Sequence, residues 1–467
     1  MKEIITLSAS EIVKKIKSGK LTAKETANAF IQRIQAVNPH INALNQFDAE
    51  RILNDAGQAD KAFHEKRAKS IGKLHGLPIT IKDTCDVKGF KISLGCPALL
   101  NEPSKEDATV VSRLKSEGAI ILGISNTPEL LASYESDNLL YGRTNNPHDL
   151  TRTPGGSSGG EAAIIAAGGS PVGIGSDAGG SIRQPAHYSG ICGHKPTQGL
   201  VPLPNNGAGL ITQILAMGPM ARHVEDLSLI MQVISGADGI DPHMPPVQFG
   251  DPNTVNFKNL RISYFFGTHK ITPSKETVQT IRDVIDSISA EVRSTKEDFP
   301  SPIENIYRLH WETFVMGGDK GKRIKALFEQ SDHKKISPLL QQYLNNAEKC
   351  EFSLTELRQR LIEVEEFRYI MMHYMQNYDV MISPVAATPA RLHGETHDNI
   401  HDFNYTLVHN LTGWPATVVP AGRSAEGLPI GIEIAAKPWH DHVCIALASR
   451  IQQIFGVFPI PEIRTAN

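Results

Sequence analysis

Near the start of the chain the apolar residues fall at helical spacing: Ile12, Val13 and Ile16, then Ala27, Phe30, Ile34 and Val37. Each set follows an S/T-x-x-E run, Ser8 to Glu11 and Thr22 to Glu25, in which a hydroxyl and a carboxylate cap helical N–H groups reciprocally. The pattern predicts two helices, divided at Gly19 and stopped at Asn38-Pro39. From Leu77 the period changes. The runs "LPITIK", "AIILGIS" and "SPVGIGS" read as strands, and "EDATVVSRLKSEG" and "EAAIIAAGG" as helices. Such alternation predicts an α/β fold, a large mixed and mostly central β-sheet covered by helices on both faces.

Farther along, "LRISYFF", "YDVMISP" and "ATVVPAG" read as strands returning to that sheet. A helix is expected after Thr272-Pro273-Ser274, and another over Leu354, Leu357, Leu361, Val364, Phe367 and Met371. No repeat, low-complexity tract or composition break separates a second core. The pattern therefore predicts one domain over residues 1–467: N-terminal helices at 1–70, the densest strand–helix alternation at 71–235, a Pro/Asp/Gly-rich surface connection at 236–256, and a part at 257–467 that completes the sheet and the substrate pocket.

Composition narrows the function classes. A net charge of -3, with no polybasic tract, provides no general attraction for nucleic acid or an anionic membrane. The opening "MKEIITLSASEIVKK" has no signal-peptide core, and the least polar run, Ala162 to Ser176, is broken by glycines and a proline well short of the ~20 apolar residues of a spanning helix. Five cysteines, Cys85, Cys96, Cys192, Cys350 and Cys444, stand in no metal-type spacing, which fits reduced thiols in a cytoplasmic protein.

One stretch exceeds what a sheet needs. Thr153 to Ala186 packs four Gly-Gly pairs and five serines around two short apolar runs. A dinucleotide loop would open a helix at Gly173-x-Gly175-x-x-x-Gly179, but Pro185 falls in the first turns, and no Asp or Glu between Ala178 and Val224 could bind a ribose. Gly155-Gly156-Ser157-Ser158-Gly159 satisfies the G-x-S-x-G of a nucleophile elbow, but polar "NNPHDLTRTP" precedes it where an elbow has a buried strand. A third reading uses both serine-bearing turns. A serine nucleophile needs a base and backbone N–H groups for the oxyanion, and "SDAGGS" can converge several N–H groups on one point. Lys82, ending "LPITI", is a candidate base, because burial favours the neutral amine. Taken alone, a lysine after a strand is most simply an exposed loop charge.

Together "GLPITIKD", "PGGSSGGEAA", "GSDAGGSIRQPA", "GICGHKPTQGLVP" and "GPMARHVEDL" resemble the amidase signature family, and "YDVMISPVAATP" and "NLTGWPATVVPAG…GLPIGIEI" are similar to its C-terminal part. The resemblance implies a catalytic Lys82, a bridging Ser157 that follows a cis peptide bond, and a nucleophilic Ser181. It implies an oxyanion hole from the N–H groups of Ala178, Gly179, Gly180 and Ser181, support from Ser158, and an ion pair between Asp177 and Arg183, with substrate contact by Arg183 as the alternative. Neutral Lys82 would take a proton from Ser157, and Ser157 one from Ser181 as that oxygen attacks an amide carbonyl. No cofactor and no metal is implied. The partner is a small amide, no nucleic acid is expected, and a homodimer stays open.

Where the family's glutaminase subunit of tRNA-dependent amidotransferase commonly carries an acidic "DQIGP"-like segment, this chain has "QILAMGP", Gln213 to Pro219, so the resemblance leans to the fatty-acid amide hydrolase side. The glutaminase-type subunit and an esterase or other acyl-transfer hydrolase remain alternatives. Ser70-x-x-Lys73 and Ser112-x-x-Lys115 fit the S-x-x-K of penicillin-recognising enzymes, but adjoin no K-T-G or S-D-N element. Substrate pockets are expected from Asn205 to Leu215 and from Lys320 to Tyr378. His393, His397 and His401, four apart with Asp398 and Asp402, read as a solvated loop rather than a zinc-binding helix, as does "WHDHVC". Met371, Met372, Tyr374 and Met375 read as core.

Overall fold

The structure is a computed structural model, and it describes residues 2–66, 71–204, 209–268 and 270–463. Both capping boxes form: Ser8 and Thr22 accept from the N–H groups of Glu11 and Glu25 and start the helices Ala9–Lys17 and Ala23–Ile41. The second helix runs past the expected stop at Asn38-Pro39. Pro39 sits in its last turn, and the left-handed Asn42 (φ 48°) ends it instead, while the Asn38 side chain accepts from the N–H groups of Ala43 and Leu44.

The strands among the described residues are β1 (Leu44–Phe47), β2 (Pro78–Lys82), β3 (Ile120–Ser125), β4 (Val172–Asp177), β5 (Cys192–Lys195), β6 (Ala216–Ala221), β7 (Arg261–Tyr264), β8 (Ser294–Glu297), β9 (Val380–Pro384), β10 (Ala416–Arg423) and β11 (Pro429–Ala436). They form one mixed sheet in the order β1-β3-β2-β4-β6-β5-β10-β11-β9-β7-β8. β3, β2 and β4 run parallel, as do β9, β7 and β8, and the strands between them pair antiparallel. The helices Gly159–Ala166 and Arg183–Ser189 touch each other and the sheet; Val224–Ile234, Lys275–Ile288 and Asp441–Phe455 form a second contacting group packed on the sheet. The connection at 236–256 carries no strand among its residues and a single 3-10 turn at Pro252–Thr254.

Two cores result. The larger packs the N-terminal helices and the sheet around residues such as Phe30, Ile81, Ile174, Met220 and Ile434. The second gathers Tyr134, Ile214, Trp311, Phe403, Leu407 and Trp414, with side chains from the helices Pro338–Ala347 and Leu354–Tyr374. Ala178, at the end of β4, packs against this second core. Met371 and Met375 are buried in it as expected, whereas Met372, turned about 100° from Met371 around the helix, is 41% exposed.

Candidate active site

Because β2 and β4 are parallel neighbours, with Ile81 opposite Ile174, their last residues Lys82 and Asp177 end at the same edge of the sheet. Carboxyl ends of parallel strands are where open α/β sheets place ligands. Lys82 is fully buried, and its Nζ lies 2.7 Å from Ser157 Oγ, 2.8 Å from Ser176 Oγ and 3.3 Å from the Ser176 carbonyl. The three acceptors match the three protons of an ammonium. In the neutral amine one proton goes to the carbonyl, which can only accept, so the lone pair faces a serine hydroxyl. Burial pushes the Lys82 pKa down to about 7, against the opposing pull of Asp177 and Glu161. The neutral amine is therefore well populated at neutral pH. Glu161, buried in the first turn of Gly159–Ala166, accepts from Thr80 and Ser125.

Ser157 follows the cis peptide bond Gly156–Ser157, and its side chain is buried beside Lys82. A Cβ on Gly156 would stand 2.5 Å from the Ser133 carbonyl, so glycine is the residue this close approach admits. Ser158 ties the two serine turns together: its N–H donates to the Ser181 carbonyl at 3.1 Å, and its hydroxyl donates to the Ser176 carbonyl at 3.3 Å. Ser158 thus supports the turns and shares a carbonyl with Lys82. Ser181 is only half-buried.

The Asp177 carboxylate holds the next turn from inside. It accepts from the N–H groups of Gly180 (2.7 Å) and Ile182 (3.0 Å) and from Arg183 Nη2 (2.8 Å), and against full burial the Arg183 charge and hydrogen bond, with the Ile182 N–H, keep its pKa well below the usual carboxylate range. Arg183 distributes its donors over Asp177, the Thr406 carbonyl, Glu433 and Asn410. With its side chain wholly buried and its fork engaged in the protein, it matches the ion-pair reading and not the substrate-contact one. Gly180 corrects an expectation. Its N–H is held by Asp177 and is not free for an oxyanion, whereas the N–H groups of Ala178, Gly179 and Ser181 meet no acceptor among the described residues. A helix, Arg183–Ser189, does open after the turn, with Pro185 in its first turn, where a missing N–H costs nothing.

The carbonyls of the same turn point outward to side chains from distant parts of the chain. Asn410 Nδ2 donates to the Asp177 carbonyl at 3.0 Å, and His310 Nε2 donates to that of Ala178 at 2.7 Å. Tyr134 Oη and Thr406 Oγ1 donate to that of Gly179 at 2.6 and 3.1 Å. Behind them Glu433 meets Arg183 and, at 3.3 Å, His409 Nε2. Two of these had a readable clue. Asn410 opens "NLTGWP", and Glu433 is an acid inside an otherwise apolar strand, which demands a buried cation.

The other candidates lie apart. His393, His397 and His401 do sit outside any α-helix, but the first two are not solvated: Glu135 accepts from the N–H groups of Gly394 and Thr396 and draws the loop down, leaving His397 only 9% exposed. No group among the described residues has the makings of a metal site. Lys115 pairs with Asp107 at 2.6 Å, and Ser112 is exposed, while Ser70 lies outside the described residues. Of the expected pocket segments, 205–208 also lie outside them; Leu210, Ile211 and Ile214 and much of Lys320 to Tyr378 build the second core.

The family profile described as Amidase matches residues 25–445. The chain belongs to the amidase family. It is an amide hydrolase, acting on carbon–nitrogen bonds. It is 32% identical to fatty-acid amide hydrolase 2 of Homo sapiens, over 98% of this chain and 91% of that protein, and 31% identical to an acylamidase of Rhodococcus erythropolis, over 96% and 95%. Among solved structures it superposes on a fatty acid amide hydrolase with a TM-score of 0.88 at 24% identity, covering 97% of this amidase and 86% of that chain. Among the described residues of the amidase, no helix is long and apolar enough to cross a membrane.

Proposed function

We propose that this amidase cleaves its amide through an acyl-enzyme on Ser181, with Ser157 and Lys82 as the proton path. The observation that carries the reading is the 2.7 Å contact between a fully buried Lys82 and Ser157. Neutral Lys82 takes the Ser157 proton while Ser157 takes that of Ser181, whose oxygen attacks the carbonyl carbon. The carbonyl oxygen gains negative charge and is met by the N–H groups of Ala178, Gly179 and Ser181. Collapse of this intermediate returns the proton through Ser157 to the leaving nitrogen. Water then attacks the ester by the same path, releasing the carboxylic acid.

The turn that carries Ala178 packs against the second core, which contains Tyr134, Trp311, Leu407 and Ile214, and this favours an apolar acyl or aryl group beside the scissile bond. The two relatives, named for fatty-acid amide and acylamide hydrolysis, agree with that class. Five buried cysteines, none in a disulfide, fit a reducing compartment such as the cytoplasm.

The experiment is a panel of short and long acyl amides offered to the isolated chain and to Ser181→Ala, with intact and peptide mass spectrometry after fluorophosphonate treatment. One adduct on the peptide containing Ser181, and turnover lost in Ser181→Ala, is the expected result. An adduct on Ser157, or turnover that survives in Ser181→Ala, overturns the assignment. Activity without any partner chain separates this reading from the glutaminase-type subunit.

A further inference from the structure

A trans peptide plane carries its C=O and the following N–H on opposite sides. Whatever holds the carbonyl of one residue therefore aims the N–H of the next. Applied to the turn after β4, Asn410 on the Asp177 carbonyl aims the N–H of Ala178, and Tyr134 with Thr406 on the Gly179 carbonyl aims the N–H of Gly180, which meets Asp177. The plane between Gly180 and Ser181 is held by the Gln184 N–H on the Gly180 carbonyl at 2.7 Å, and that between Ala178 and Gly179 by His310 Nε2 at 2.7 Å from the Ala178 carbonyl.

We infer that His310 is a positioning residue of this amidase, whose Nε2–H fixes the Gly179 N–H toward the oxyanion that forms on the substrate. The inference rests on the reading of Ser181 as nucleophile.

Four observations support it. A carbonyl can only accept, so the imidazole is the Nε2–H tautomer, and its Nδ1 has no partner among the described residues. His310 is fully buried, and burial takes its pKa down to about 4, so the ring stays neutral and keeps that tautomer over the working range. The residue lies in the π-helical segment Arg308–Val315, whose wider turn departs from regular helix where the histidine meets the loop. And a Cβ on Gly179 would stand 3.4 Å from His310 Cε1, so the ring packs against the very peptide it holds. No acid–base step uses His310: its proton never leaves, and its work is direction.

The test compares His310→Gln, whose amide N–H can reach the same carbonyl, with His310→Phe, which fills the volume without a donor. If His310→Phe does not reach a native melting transition, His310→Met takes its place. The primary readout is the second-order rate at which an alkyl fluorophosphonate labels Ser181, because its phosphoryl oxygen also develops negative charge at the donors and no substrate need be known. The rate per folded molecule is expected to fall about 10- to 100-fold in the donorless variant, less than the ~10²–10³ of deleting a donor outright. In His310→Gln it should recover to within a few-fold of the parent. Equal labelling of Ser181 in parent, Gln and Phe variants overturns the inference alone, as does an equal loss in Gln and Phe. A parent protein that gives no adduct at Ser181 overturns the nucleophile reading and takes the inference with it.

Discussion

The proposed proton path and the proposed oxyanion turn meet at the same edge of the sheet but are built in different ways. The path, Lys82 to Ser157 with Ser176 alongside, is made of residues from the ends of β2 and β4 and from the chain between them, beside Ile81 and Ile174 of the larger core. The turn of Ala178 to Ser181 is aimed from outside, by Tyr134, His310, Thr406 and Asn410, three of which belong to the half of the chain after β6. The reacting groups are thus local and their orientation is not. A hydroxyl or an amine can be replaced in one step, whereas the direction of an N–H is set by several donors in concert. The two parts should fail differently when mutated.

The largest effect is expected on the path. Lys82→Ala and Ser157→Ala should each lower kcat by about 10³-fold or more while the protein still melts cooperatively, and the double variant should be little worse than either. Losses that add in the double variant, measured by steady-state kinetics, would show that the two residues do not share one path and would dissolve the contrast drawn above.

Next in size is the response to pH. Burial lowers the Lys82 pKa to about 7, and the proposed path needs its amine neutral. Below that value each pH unit should therefore cost about tenfold in kcat/KM, and above it the profile should level off. Its effect on stability has a definite sign as well. Between pH 7 and the ordinary lysine range the unfolded chain holds a proton that the folded chain does not, so this group makes stability rise with pH there and leaves it unchanged at lower pH. A rate profile flat from pH 6 to 8 would remove Lys82 from the titration. His310 should contribute nothing in this window, because its neutral form persists down to about 4.

The smallest effect should come from one of two redundant donors. Tyr134→Phe removes the 2.6 Å bond to the Gly179 carbonyl but leaves Thr406 on it, so kcat should drop only about 2- to 10-fold with the ring packing on Phe403 preserved. A loss as large as that of Lys82→Ala would place Tyr134 in the chemistry and blur the division between path and aim.

This division also explains what could be read from the chain. β2, β3 and β4 announce themselves as short apolar runs, and the serine turns as a density of glycine that an ordinary sheet would not carry. β5 "CGHK", β6 "AMGPMA" and β8 "STKE" do not: the first is short and half polar, the second holds Pro219 inside a central strand, and the third is an edge strand with exposed side chains. The engagement of Gly180 with Asp177 was equally illegible, since glycine in a nest and glycine in a capped turn have the same sequence. His310 and Thr406 are ordinary residues in ordinary helical text, and only the tertiary arrangement gives their donors something to hold.

The loop at 236–256 has a consequence for the covalent chain itself. It crosses from the part that holds the path to the part that supplies the aim, and no strand passes through it. What joins the two parts is lateral: β5 pairs with β10 from Gly193 to Lys195, and the helix Val224–Ile234 lies against Asp441–Phe455. A protease site engineered near Gln248, which is exposed, would yield two fragments on a denaturing gel. Under native conditions those fragments should migrate as one particle and go on hydrolysing amide, because the site depends on strands lying side by side and not on the peptide bond between them.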